Sequence, residues 1–197
     1  MKIIDNFFNQ QDQDFIEKLL FIEENFPWYL AHTSNYTYED YVDAIKENVG
    51  LPFEKEYHQF VHTFYGNKKQ NSNHWPYFEK IFKSNKHIEI NNFFRVKANL
   101  NVQVSGSTKD THGMVHRDHP KNIFKSILYY VNDTDGDTLL FDNSKNLIEK
   151  INPKKGRAVI FDSNSLHAAS PPFNSKIRVV INCIIYKKNT LNDSTNK

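Results

Sequence analysis

One cysteine, Cys183, occurs in 197 residues, so no disulfide can close within the chain and no cysteine pair exists to hold a structural metal. Packing alone must hold the core, which suits a reducing, cytoplasmic setting. An excess of one charge is lacking as well. The 25 Lys+Arg and 23 Asp+Glu leave a formal +2 with no basic run, so nucleic acid is disfavoured as a partner. Long apolar runs are missing too. The first six residues carry no signal-like apolar region, and residues 179–186 are too few to span a bilayer and are interrupted by Asn182, so no membrane association is expected. Only 6 glycines are present, and Ser105-Gly106-Ser107 lacks the helix and spacing of a phosphate loop. Without a serine nucleophile elbow or a cysteine–histidine pairing, phosphoryl and acyl transfer are disfavoured. The acidic run 132–137 lacks the closing glutamate of a calcium loop and reads as a turn.

Aromatic residues, by contrast, are abundant. With 16 Phe and 10 Tyr in a chain that is 39% hydrophobic, one domain can bury a substantial core. Phe15, Leu19, Leu20 and Ile22 recur at roughly helical spacing and predict a helix over 12–24, ended by Pro27. A second short helix is expected over 75–82, and an aromatic, β-branched strand over 57–65 before the turn Gly66-Asn67. From residue 93 the pattern is of short strands between polar turns: 94–104, 123–131, 138–141, 157–161 and 177–186. Antiparallel strands without intervening helices imply a sandwich or barrel, with the earlier helices against one outer sheet. In the first of these strands Phe94, Val96, Ala98, Leu100, Val102 and Val104 alternate with Arg95, Lys97, Asn99, Asn101 and Gln103, so one face is wet or lines a polar cavity.

Among nine histidines, His116 stands out because Asp118 follows two residues later. In an extended strand those side chains project from one face, bringing an imidazole and a carboxylate to one point. His167, after a strand and a polar turn, supplies a third donor. Two histidines and a carboxylate form the facial triad of non-haem Fe(II) sites; zinc is the competing metal, although its common His-Glu-x-x-His helix is absent. His112, His116 and His119 cannot all face inward from one straight strand, so His112 and His119 read as flanking loop residues. Eleven residues beyond His167, Arg178 opens the last apolar strand, where a hairpin would place it inside the same barrel. A buried guanidinium needs an anion, either an Asp or Glu of the protein or a ligand carboxylate.

The pieces His116-Arg117-Asp118, the strand 126–132, Gly136-Asp137-Thr138-Leu139-Leu140-Phe141, the strand 156–161, Leu166-His167 and the strand 177–182 together resemble the 2-oxoglutarate- and Fe(II)-dependent dioxygenases, in their prolyl-4-hydroxylase-like branch. The resemblance covers about residues 95–186; residues 1–90 match loosely, in the manner of small phage-encoded members, which would place the protein in a host cytoplasm. It implies a mainly β fold with N-terminal helices: a double-stranded β-helix, a jelly-roll or cupin-like barrel, buttressed by helices. A single domain over 1–197 would then comprise a support region, 1–90, a β-helix core, 91–187, and a flexible tail, 188–197.

The resemblance further implies that His116, Asp118 and His167 hold Fe(II), that Arg178 binds the distal carboxylate of the cosubstrate 2-oxoglutarate, and that O2 is consumed, with ascorbate as an accessory. Strand parity puts Ser126, Leu128 and Tyr130 inside. Tyr130, with Leu128 beside it, is therefore expected at the cosubstrate, and Tyr129 takes that place if the register slips by one. Asn182 shares the parity of Arg178 and needs a partner indoors: cosubstrate, a metal-bound water or neighbouring backbone. Asn99, Asn101 and Gln103 are candidates to line the mouth from the opposing sheet. The implied reaction is hydroxylation of a C–H bond in a peptide or protein prolyl residue, with release of succinate and CO2. A free amino acid or small metabolite is the alternative substrate, and a non-catalytic ligand-binding jelly roll the alternative class. Nucleic-acid demethylases of this family carry a second arginine six residues after the cosubstrate arginine, where this chain has Ile184.

Overall fold

A computed structural model describes residues 1–31, 58–90 and 92–187. His32, Tyr57 and the tail 188–197 lie outside the described residues. The elements in order are β1 (Lys2–Ile4), α1 (Gln10–Phe21), β2 (Tyr29–Ala31), β3 (Gln59–Gly66), β4 (Lys69–Gln70), α2 (Trp75–Lys83), β5 (Phe93–Val102), β6 (Phe124–Tyr130), β7 (Thr138–Phe141), β8 (Leu147–Ile151), β9 (Ala158–Asp162), β10 (Leu166–Ala169) and β11 (Ile177–Tyr186). Two antiparallel sheets result. The larger runs β1-β9-β6-β11-β5-β3-β2, with β4 paired to β3, and the smaller runs β10-β7-β8. This is the jelly-roll expected from the sequence. No helix among the described residues is long and apolar enough to cross a membrane.

The alternation of β11 builds two cores at once. Val179, Ile181, Cys183 and Ile185 turn outward into a core shared with Phe7, Phe8, α1 and α2, whereas Val180 joins Leu128, Tyr130, Leu140, Ile151, Val159 and Phe161 between the sheets. Arg178, Asn182 and Ile184 share the parity of Val180 and so face the barrel. The helix α1 starts where Asn9 accepts a hydrogen bond from the Asp12 N–H at 2.9 Å. It buries Ile16, Leu19 and Leu20. Phe15 and Ile22, expected on its inner face, are instead exposed; the apolar stripe is shifted by one residue because Gln13 is buried in its place, donating to the Phe8 carbonyl at 2.9 Å. On α2, Trp75, Phe78, Ile81 and Phe82 lie on the buried face.

Two features of the strand layout depart from expectation. His116 and Asp118 are not in a regular strand: the loop holding them touches β10 through one antiparallel bridge, His116 to His167. The turn from β10 to β11 is no hairpin either, since these strands belong to different sheets. That crossing is held by Asp135, whose carboxylate accepts hydrogen bonds from the Phe173, Asn174 and Ser175 N–H groups at 2.7–3.3 Å. Burial alone would raise the Asp135 pKa; these N–H donors outweigh it and hold the carboxyl below its usual range. The acidic run read as a turn is thus a clamp on the loop that leads into Arg178.

Tyr129 packs in the helix-side core, its ring 4.9 Å from that of Phe8, and its buried hydroxyl has no hydrogen-bond partner among the described residues. Tyr129→Phe is therefore expected to change unfolding free energy by less than about 1 kcal/mol, or to stabilise, because an unpaired polar group is removed. Urea unfolding followed by circular dichroism checks this, and cosubstrate affinity should be unchanged.

Candidate metal centre

At the bridge between His116 and His167, each N–H donates to the other's carbonyl at 2.9 Å, and the two rings lie 4.3 Å apart. Each imidazole is also oriented by its own loop. His116 Nδ1 donates to the Met114 carbonyl and His167 Nδ1 to the Ser165 carbonyl, both at 3.1 Å. A carbonyl only accepts, so each Nδ1 is the donating N–H and Nε2 is the ring atom left to act as a ligand. The donor atoms of His116, Asp118 and His167 all lie within 4.8 Å of one another, with His167 Nε2 3.8 Å from Asp118 Oδ2.

Asp118 is the most constrained of the three, its side chain only 4% exposed. Its Oδ2 accepts from Ser126 Oγ at 2.5 Å and its Oδ1 from Asn182 Nδ2 at 2.8 Å, while an Arg95 guanidinium nitrogen stands 3.6 Å from Oδ1. Ser126 spends its one proton on the carboxylate, so Ser163, 2.8 Å away, donates to Ser126. Burial pushes the Asp118 pKa up, but His167, Arg95, His116 and the Ser126 hydroxyl pull it down to about 2. The carboxylate is therefore ionised. Two imidazoles, each held at Nδ1 by a loop carbonyl, and a fixed carboxylate with its own outer partners fit a divalent metal ion. The intervening Arg117 points away and ties the loop outward, donating to the Asn164 carbonyl and to Asn143 Oδ1.

Arg178 lies deeper, 2% exposed. Its Nε donates to the Gly136 carbonyl at 2.7 Å, one terminal nitrogen to Thr138 Oγ1 at 2.8 Å and the other to Asn101 Oδ1 at 3.5 Å. Tyr130 donates its hydroxyl to the same Thr138 oxygen at 2.7 Å, and its ring centroid is 5.7 Å from the guanidinium carbon. Among the described residues no carboxylate pairs with Arg178. The nearby Asp137 is engaged by Lys150 at 3.3 Å. Burial lowers the Arg178 pKa, opposed by Tyr130 and Asp137, so an anion brought to this guanidinium would relieve a real cost. Gly136 is required for the close approach: a Cβ there would sit 2.8 Å from Arg178 Cδ and 2.7 Å from the Ser170 carbonyl oxygen.

The remaining candidates divide. Tyr130 and Leu128 face the barrel interior. Asn182 finds its partner in Asp118 rather than in backbone, leaving its buried Oδ1 unpaired. Asn99 and Asn101 do line the pocket, but from the same sheet as Arg178 and not the opposing one, since β5 pairs directly with β11: Arg178 with Asn101, Val180 with Asn99, Asn182 with Lys97, Ile184 with Arg95. Gln103 lies past the end of β5 and donates to the Phe173 carbonyl at 2.6 Å, so it braces a loop. His112 and His119 flank the site, their rings tilted against those of Phe141 at 5.6 Å and Phe124 at 4.2 Å respectively. Ser126, Ser163, Thr138 and Arg95 were missed as site residues; for Arg95 the signal was its place on the polar face of β5. Lys97 shares that face, and burial and Arg95, opposed by Asp118, pull its pKa down to about 8.

Residues 101–186 match the model of the 2OG-Fe(II) oxygenase superfamily. No curated protein matches the chain in sequence. Solved structures share the fold. A prolyl hydroxylase of Trichoplax adhaerens, in complex with a hypoxia-inducible-factor oxygen degradation domain peptide, is 16% identical over 94% of this chain and 82% of its own, with a TM-score of 0.61. A 2OG-Fe(II) oxygenase family oxidoreductase of Burkholderia pseudomallei is 10% identical over 90% of this chain and 80% of its own, with a TM-score of 0.60. A Pseudomonas putida prolyl-4-hydroxylase is 11% identical over 94% and 92%, with a TM-score of 0.50.

Asp118→Ala is expected to abolish Mn(II) binding by titration calorimetry, whereas Asn182→Ala, which removes only an outer partner, should weaken it by about 10–100-fold. Equal effects of the two would contradict the division between ligand and support. Arg178→Lys keeps the charge but loses the fork; it should raise the 2-oxoglutarate requirement by about tenfold or more with metal affinity intact.

Proposed function

We propose that this chain, whose residues 101–186 match the model of the 2OG-Fe(II) oxygenase superfamily, hydroxylates a C–H bond of a prolyl residue in a peptide or protein, releasing succinate and CO2. The observation that carries the cosubstrate half of this reading is the buried Arg178, fixed by Gly136, Thr138 and Asn101 and paired with no carboxylate among the described residues, in the same barrel as the His116, Asp118 and His167 cluster. The prolyl half rests on the overall likeness to a hydroxylase that holds a peptide.

Within this scheme His116 and His167 present Nε2, and Asp118 a carboxylate, as the ligands for Fe(II). Iron and 2-oxoglutarate, if bound there, would supply the oxidation, in which O2, the keto acid and the substrate C–H bond become succinate, CO2 and a C–OH bond. The protein's own contribution is placement. Arg178 takes the distal carboxylate with its planar fork, which Gly136, Thr138 and Asn101 already hold in place. Tyr130 sets the orientation of Thr138 and closes one side of the guanidinium. Ser126, Ser163 and Asn182 keep the Asp118 carboxylate from rotating, and Leu128, Leu140, Val159, Phe161 and Val180 keep water from the barrel interior.

Succinate release by the iron-loaded protein, screened over proline-containing peptides, free amino acids and methylated oligonucleotides, tests the reading. Stimulation by prolyl peptides is the expected result. Stimulation by oligonucleotides alone, or by none of the prolyl compounds, would contradict it.

A further inference from the structure

The inner face of β5 continues past the cosubstrate arginine toward the metal centre, and it carries two more cations. Lys97 pairs across the sheet with Asn182, which itself holds Asp118, and Arg95 pairs with Ile184 one step further on. On its other side Lys97 pairs with Thr63 of β3. Both cations lie outside residues 101–186. Lys97 is half-buried and makes no hydrogen bond or ion pair among the described residues. Among the described residues Arg95 reaches the Asp118 carboxylate, at 3.6 Å, and its buried Nε has no hydrogen-bond partner. One carboxylate, already shared by Ser126 and Asn182, cannot answer two cations as well as a metal ion.

The cosubstrate does not settle this imbalance, because its distal carboxylate is assigned to Arg178, four residues along β11 from Asn182 and so roughly 13 Å away along the strand. Beside Arg95 opens a cleft of about 1230 Å³, lined also by Tyr29, Val61, Thr63 and Lys68. Among the described residues its lining includes Lys68, His62 and His74 as well as Arg95, and no Asp or Glu. His62 is spoken for, bonded at both ring nitrogens by the Pro27 carbonyl and Ser72. A cleft with cations and no acid selects an anion.

We infer that Arg95 and Lys97 form an anion subsite between the metal centre and this cleft, and that the substrate presents a carboxylate there, close to the carbon that is oxidised. This rests on the hydroxylase reading above and narrows its substrate class to one bearing an acid next to the reacting residue. The carboxylate is either the substrate's own terminus or the side chain of a flanking Asp or Glu. Lys97 is in this account a binding residue for substrate, and Arg95 both binds substrate and steadies Asp118.

Calorimetric titration of the full chain, loaded with Mn(II) and saturated with 2-oxoglutarate, tests this without turnover. The probes are N-acetyl-L-proline against N-acetyl-L-prolinamide for a terminal carboxylate, and acetyl-Asp-prolinamide against acetyl-Asn-prolinamide for a side-chain one. At least one acidic probe should bind about tenfold or more tightly than its neutral counterpart. The preference should vanish in Lys97→Met and in Lys97→Gln and return in Lys97→Arg, with 2-oxoglutarate affinity unchanged throughout. Absence of any preference in the wild-type chain, a preference that survives Lys97→Met, or a loss of 2-oxoglutarate affinity in that variant would overturn the inference. If N-acetyl-L-alanine binds as well as N-acetyl-L-proline, the anion subsite stands and the prolyl reading falls.

Discussion

The site depends on keeping one carboxylate ionised and motionless where water cannot reach it. Asp118 loses its hydration on burial and regains the loss from Ser126, Asn182, Arg95 and the two imidazoles. Each of these comes from a different place in the chain. Ser126 sits on β6, Asn182 on β11, Arg95 on β5, and His167 on β10 of the other sheet. The closed barrel is what lets them converge, and a break in any of its pairings would leave a buried charge unanswered.

Arg178 shows the complementary situation. Its hydrogen bonds go to a carbonyl, a hydroxyl and an amide, which orient the guanidinium without neutralising it. A protein that wanted only stability would have placed an acid opposite, as it did for Arg157, whose guanidinium meets Asp5 at 2.6 Å at the surface. The contrast between the two arginines separates a structural ion pair from a seat for an organic acid. Lys97 and Arg95 extend the same logic toward the substrate side.

Much of this was legible in the sequence. The alternation of 177–186 puts Arg178 and Asn182 on one face, and the spacing of His116 and Asp118 marks them as a pair; parity alone chose Tyr130 over Tyr129 for the interior. What was not legible required knowing which strands are neighbours. That Asn99 and Asn101 belong to the sheet of Arg178, that Asn182 serves Asp118, and that Asp135 clamps the loop before β11 are facts of pairing between segments tens of residues apart. The displaced stripe of α1 had another cause: the buried Gln13, satisfied by a single carbonyl, does not look apolar in a periodicity count.

The most direct test of the central claim is optical. Anaerobic addition of Fe(II) and then 2-oxoglutarate to the purified chain should produce the visible charge-transfer absorption of a chelated keto acid, saturating at one iron per chain. No such absorption, at concentrations where the protein binds both components, would show that the three side chains and Arg178 do not serve one site.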